Sequence, residues 1–145
     1  MRHIVLALIA AVMITAPANA RAGDAAGDAE PRLVAATFRS AWCGACRILE
    51  PRIDAVEPRF AERPVEFVRF DFTWGRREGL REQAAAAGVA EIYDRHAGGT
   101  GYMLLIDREA GDVLAMITIR HGETDIAAAI ERALAIIDQR AEFGL

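Results

Sequence analysis

The chain has 145 residues, of which 53% are hydrophobic, and this length suits one compact domain and leaves little room for a second. Its formal net charge is −4, so it offers no electrostatic support for binding nucleic acid, and no such partner is expected. The chain contains two cysteines, and both lie in one short segment.

The first 20 residues have the three parts of a secretory signal peptide. A basic start at Arg2 precedes an apolar run over 4–14, and small residues then allow cleavage after Ala20. A retained membrane anchor is the alternative, but a helix that spans a bilayer needs roughly 20 apolar residues. We therefore predict an exported, periplasmic protein whose mature chain is 21–145, with a charge of −5 after the loss of Arg2.

The folded domain is predicted to span 33–145. The preceding residues, 21–32, are small or charged and lack apolar periodicity, which predicts a flexible leader. An apolar run over 33–38 predicts a buried strand. After the cysteine segment, apolar side chains recur at spacings near three and four over 48–60, which predicts a helix.

The second half of the chain alternates further strands and helices. The predicted elements are a strand over 65–72, a helix over 77–87, a long connection over 89–101, strands over 102–106 and 113–119, and a helix to about Arg140 capped by Thr124 or Asp125. The order is therefore βαβ, α, ββ, α. It predicts an α/β fold with a four-stranded mixed sheet and helices on both faces.

The cysteine pair lies between the first strand and the first helix, with the spacing C-x-x-C. At a helix start, unpaired backbone N–H groups and the helix dipole favour a thiolate, so we expect a lowered pKa for Cys43. That makes Cys43 the nucleophile. Cys46, one helical turn later, is placed to attack the resulting mixed disulfide as the resolving thiol.

Other uses of the pair have less support. Haem attachment requires C-x-x-C-H, but Arg47 follows Cys46. A structural zinc site needs four ligands, and His96 and His121 are isolated in the sequence, so no metal ligand and no cofactor are assigned. A purely structural crosslink would close a very short loop and add little stability. A copper relay remains open, because only a structure can show whether a histidine completes a two-sulfur site.

The segment from Trp42 to Cys46 (WCGAC), with Pro51 five residues beyond Cys46, resembles the active-site segment of the thioredoxin superfamily. The predicted element order also matches that family over nearly the whole mature domain. The resemblance implies a thioredoxin-like fold and a thiol-disulfide oxidoreductase that acts on protein thiols and disulfides outside the cytosol in redox homeostasis. It implies substrate contacts by residues around the sulfurs: Trp42, Gly44, Ala45, Thr100 and Gly101.

Two positions depart from the family pattern. Gly101 stands where the family usually has a cis-proline, and because a non-proline cis bond costs about 3 kcal/mol, a trans peptide is expected there. The glycine leaves the backbone unobstructed for a partner chain. Thr37 stands where the family usually has a buried aspartate, so water or another carboxylate is expected to accept the proton of Cys46.

The remaining aromatic and histidine residues are interpreted conservatively. We predict core and loop packing for Phe67, Phe70, Phe72 and Trp74. His96 and His121 are predicted to be ordinary surface histidines, although His121 follows the last strand and could reach a substrate.

The direction of electron flow is predicted from Gly44 and Ala45, which lie between the cysteines. A histidine there resembles the oxidising members of the family, whereas these two residues offer neither charge nor donor, which favours a reductant or a mild exchanger. Such a protein needs a membrane-bound electron donor, and a monomer is expected. The alternative is a non-catalytic thioredoxin-fold module that binds a protein partner or a metal such as copper.

Overall fold

The computed structural model of the protein describes residues 30–144. The predicted signal peptide and residues 21–29 of the predicted leader lie outside this range. The elements in chain order are β1 (Leu33–Arg39), α1 (Gly44–Val56), a 3-10 turn (Glu57–Phe60), β2 (Val65–Asp71), α2 (Leu80–Ala86), α3 (Ala90–His96), β3 (Tyr102–Asp107), β4 (Asp112–Ile117) and α4 (Glu123–Phe143).

The four strands form one mixed sheet in the order β2-β1-β3-β4. β1 runs parallel to β2 and antiparallel to β3, and β3 and β4 form the predicted hairpin. β1 is central and apolar on both faces, and its residues from Leu33 to Phe38 are at most 3% exposed. The predicted four-stranded mixed sheet is confirmed.

Helices cover both faces of the sheet, as predicted. On one face, side chains from α1 and α4 pack on alternate residues of β1, including Leu33 and Ala35. On the other face, α2 and α3 pack on Val34, Ala36 and Phe38. This alternation follows from the period of two along a strand, so neighbouring residues of β1 belong to different cores.

The long connection predicted over 89–101 is wrong, because residues Ala90–His96 form the two-turn helix α3. Its apolar side chains Ile92 and Tyr93 enter the second core, which stabilises a helix too short to hold by itself. The preceding helix is also shorter than predicted. It begins at Leu80 after Gly79, whose φ of +76° interrupts any helix that would start earlier.

The last helix begins at Glu123, at least two residues earlier than predicted, and neither Thr124 nor Asp125 is its cap. Gly122 occupies the cap position, and its N–H donates to the Asp125 carboxylate at 3.0 Å. α4 continues to Phe143 and ends at Gly144. Within residues 30–144, no helix combines the length and the apolar character that crossing a bilayer requires.

Candidate active site

Cys43 occupies the N-cap of α1, at the step from the central strand into the helix. Its backbone is extended (φ −77°, ψ 109°), and its Sγ accepts the N–H of Cys46 at 3.1 Å. A side chain in this position satisfies one of the N–H groups that a helix start leaves unpaired. The sulfur of Cys43 therefore lies at the positive end of the helix dipole.

The two cysteines form a disulfide, and their Cα atoms are 5.2 Å apart. They differ in access to solvent: Cys46 is 3% exposed, whereas Cys43 is only partly buried. Helix geometry causes this difference, because Cys46 lies in the first turn of α1 on the buried side of the helix, which it shares with Leu49 and Ile53. An incoming group can therefore reach Cys43 more easily than Cys46.

Gly101 lies directly against Cys43 and Ala45. Its N–H donates to the Phe38 carbonyl at 2.8 Å, and its φ is +95°. A Cβ added there would lie 2.9 Å from the Ala45 Cβ and 3.3 Å from the Cys43 Sγ. The peptide bonds within residues 30–144 are all trans, which confirms the expectation for Gly101.

The other two residues expected at the substrate surface differ in their surroundings. Gly44 is exposed, and a Cβ added to it would meet no atom within 4 Å. Thr100 is partly buried next to Gly101. The substrate contacts expected of both residues stay predictions.

A charged network lies at the end of β1, beside the cysteine helix. The network does not include Thr37, which stands where the family usually has a buried aspartate. Thr37 is 3% exposed on the sheet face that α1 and α4 cover, and its side chain has no carboxylate. Two residues further on, Arg39 Nε donates to Glu50 of α1 at 2.8 Å, and Arg39 also pairs with Asp71 of β2. The hydrogen bond to Glu50 and the two carboxylate charges outweigh desolvation and raise the pKa of Arg39.

Asp71 also fixes the loop that precedes Cys43. It accepts the backbone N–H of Thr73 at 3.0 Å and the Thr73 hydroxyl, and Thr73 Oγ1 accepts the N–H of Ala41 at 2.9 Å. Desolvation acts to raise the pKa of Asp71, but the bonds from Thr73 and the charges of Arg39 and Arg76 outweigh it, so the pKa is lowered. The loop after β2 is thereby joined to the cysteine loop.

The structure corrects the prediction for Trp74, which packs in no core. Its side chain is 81% exposed, and that of Trp42 is 54% exposed. The two indoles meet edge to face, with ring centroids 5.7 Å apart. Phe70 and Phe72 are buried in the second core and Phe67 packs on the first, as predicted.

Neither histidine is a plain surface residue. The His96 Nδ1 lies 3.2 Å from the Tyr102 hydroxyl, and burial raises the pKa of that phenol. His121 folds onto its own loop, where its Nδ1 accepts the Thr118 N–H at 3.1 Å. Within the described part of the chain, no three His, Cys, Asp or Glu side chains converge as a metal site.

Two further features lie outside the sequence-based predictions. Ser40, just before the cysteine loop, is 2% exposed, and its Oγ has no hydrogen-bond partner. A groove of about 740 Å³ runs beside β2 and is lined by Asp54, Phe67 and Arg69 among others, but by neither cysteine. The sulfurs therefore lie outside this groove.

Solved structures share this architecture. A DsbH oxidoreductase aligns over 72% of this chain and 73% of its own, with 21% identity and a TM-score of 0.53. A thiol:disulfide interchange protein of the thioredoxin family from Chlorobium tepidum TLS aligns over 72% of this chain and 81% of its own, with 20% identity and a TM-score of 0.50. No family model and no curated protein matches the chain.

These similarities establish the class of fold. The order of the strands, the helices on both faces and the cysteine pair at the start of α1 define a thioredoxin-like domain. The predicted thioredoxin-like fold is confirmed.

Proposed function

We propose that this protein is a thiol-disulfide oxidoreductase that works through Cys43 and Cys46. The observation that carries the proposal is the position of the Cys43 sulfur, which caps α1 and accepts the Cys46 N–H at 3.1 Å. In the reduced protein, the same N–H group and helix dipole stabilise a thiolate, which is the reactive form of cysteine. The similar solved structures, one named an oxidoreductase and one a thiol:disulfide interchange protein, are consistent with this chemistry.

The reaction transfers two electrons in two exchange steps. The Cys43 thiolate attacks one sulfur of a substrate disulfide, which forms a mixed disulfide and releases the other substrate sulfur as a thiolate. Cys46 then loses its proton and attacks the Cys43 sulfur. This step forms the Cys43–Cys46 disulfide, releases the second substrate thiolate and leaves the substrate reduced.

The proton of Cys46 needs an acceptor, and Thr37 cannot serve at neutral pH. Glu50 lies four residues after Cys46 in the same helix, so the two side chains share one face of α1. Arg39 holds the Glu50 carboxylate from the end of β1 at 2.8 Å. We assign Glu50 as the carboxylate that accepts this proton, directly or through one water molecule.

The substrate is proposed to lie across Trp42, Ala45 and the segment of Thr100 and Gly101. The absence of a side chain at Gly101 lets a polypeptide approach the Cys43 sulfur, since any Cβ there would stand 3.3 Å from it. Protein thiols and disulfides are thus the proposed substrates.

The proposed setting is the periplasm, after cleavage of residues 1–20. Gly44 and Ala45 between the cysteines supply no charge that would stabilise the reduced form further, which supports a reductant or a mild exchanger. The protein is proposed to act as a monomer. A reductant in an oxidising compartment needs a membrane-bound electron donor, which is proposed as its second partner.

A peptide-disulfide reduction assay tests the function. The purified protein should reduce the peptide, Cys43→Ser should abolish the reaction, and Cys46→Ser should stop it at a mixed disulfide that gel electrophoresis detects without reductant. Absence of turnover by the unaltered protein would favour the non-catalytic binding module instead. Equilibration with glutathione tests the direction, and a potential near −120 mV would contradict a reductant.

A further inference from the structure

We propose that Trp42 and Trp74, here called the indole ledge, bind an apolar side chain next to the reacting cysteine of the substrate polypeptide. The proposal rests on the proposed function and adds a rule for substrate choice. It assigns Trp74 a recognition role that its place in the sequence, 32 residues after Trp42, does not indicate.

The first argument is exposure. A soluble protein normally buries most of an indole, yet Trp42 and Trp74 are 54% and 81% exposed and touch each other. Contiguous exposed aromatic surface is characteristic of binding sites, and Trp is among the residues that contribute most to binding energy. Trp42 directly precedes Cys43 in the chain and Trp74 packs on Trp42, so the ledge adjoins the proposed site of exchange.

The second argument is that the ledge is held in place. Thr73, the residue before Trp74, accepts the Ala41 N–H at 2.9 Å, and Ala41 is the residue before Trp42. Asp71 in turn accepts the N–H and the hydroxyl of Thr73. One hydroxyl group therefore links the two backbones that carry the indoles, and a preorganised surface loses less entropy when a partner binds.

The third argument concerns charge. Trp74 is followed by the exposed Arg76 and Arg77, and the single acid nearby in the loop is Glu78. The Arg76 side chain is 71% exposed and lies 3.5 Å from Asp71. Because Asp71 pairs with Arg76, and Arg77 is matched by Glu78, the loop beside the ledge carries no net excess of charge, which suits an apolar partner side chain.

The test compares two matched disulfide peptides. One carries leucine two residues from its cysteine, and the other carries serine in place of leucine. Rate constants are measured for the reduced protein with both peptides and with oxidised glutathione. We expect the unaltered protein to favour the leucine peptide, and Trp74→Ala to lower the ratio of the two peptide rates about 3–10-fold.

A matched control is Phe143→Ala, which removes another exposed aromatic side chain (73% exposed) from the far end of α4. It should leave the ratio of rates unchanged. Trp74→Leu, which keeps apolar surface, should restore part of the preference, and equal unfolding midpoints verify that each variant is folded.

Two results overturn the inference: an unchanged ratio in Trp74→Ala, or an equal fall for both peptides and glutathione. Failure of the unaltered protein to react with all three substrates would instead refute the proposed function. A preference for the leucine peptide that disappears in Trp74→Ala supports both.

Discussion

Substitution of Gly101 by alanine should destabilise the protein and slow its reaction. Two separate effects contribute. The φ of Gly101 is +95°, a region that L-residues rarely adopt, and the penalty for positive φ is about 1–2 kcal/mol. The added methyl would also lie 2.9 Å from the Ala45 Cβ and 3.3 Å from the Cys43 Sγ.

The crowded contact adds to the conformational penalty. Inserting a methyl into a packed site costs about 1–3 kcal/mol, so the total loss should be about 2–5 kcal/mol. A domain of this size is stable by about 5–15 kcal/mol, so at least about half of the variant should still fold at 25 °C. The methyl also occupies space beside Cys43, so its reaction with a disulfide peptide should slow by about tenfold, or roughly 1.4 kcal/mol.

Gly98→Ala is the matched control. Gly98 has a φ of +89°, but a Cβ added there would have no heavy atom within 4 Å. It should therefore lose only the conformational part, about 1–2 kcal/mol. Urea denaturation measures the free energies of unfolding, and the difference between the two variants gives the contribution of the contact.

The double variant Ala45→Gly/Gly101→Ala separates the two contacts. Because Ala45 provides the nearer atom, its removal should recover part of the stability that Gly101→Ala loses. Equal losses in Gly101→Ala and Gly98→Ala, with no recovery in the double variant, would refute the packing argument at this site.

Three further outcomes are expected. Because the pKa of Asp71 is lowered in the folded protein, its carboxylate stabilises the fold at any pH above the unfolded pKa near 4. This stabilisation is lost as the pH falls through the folded pKa. Asp71→Asn should therefore weaken the dependence of the free energy of unfolding on acid pH, measured by urea titration. Glu50→Gln should slow the resolving step of Cys46 by about 10²-fold, the lower range for a lost proton acceptor, whereas Asp54→Asn on the same helix should not. N-terminal sequencing of the protein from the periplasm should show cleavage after Ala20, and the precursor alone would contradict export.

The sequence was sufficient to predict the fold and the position of the cysteine pair. β1 is a continuous apolar run and α1 has apolar residues at helical spacing, so the step between them at Cys43 was visible in local patterns. The helix α3 was missed because it has only two turns and is stabilised by tertiary contacts of Ile92 and Tyr93 with the second core.

The surroundings of the cysteines depend on contacts that no local pattern encodes. Trp74 lies beside Trp42, and the neighbouring Thr73 is bonded to Ala41, which is 32 residues away in the chain. The ion pairs of Arg39 with Glu50 and Asp71 likewise join three elements, β1, α1 and β2, that are separate in the sequence. Contacts made by such long-range bonds can be identified only from coordinates, whereas the C-x-x-C motif can be identified from the sequence alone.

The open edge of the sheet has a consequence for the behaviour of the protein at high concentration. β2 is an edge strand, and within residues 30–144 its only neighbour is β1. Unpaired strand edges template intermolecular pairing, and natural proteins counter this with charges. Here Glu66 pairs with Arg108, and Arg69 pairs with Asp54 and Glu57. A second chain that paired with β2 would have to desolvate these ion pairs. The charges on this edge strand should therefore oppose aggregation by strand pairing.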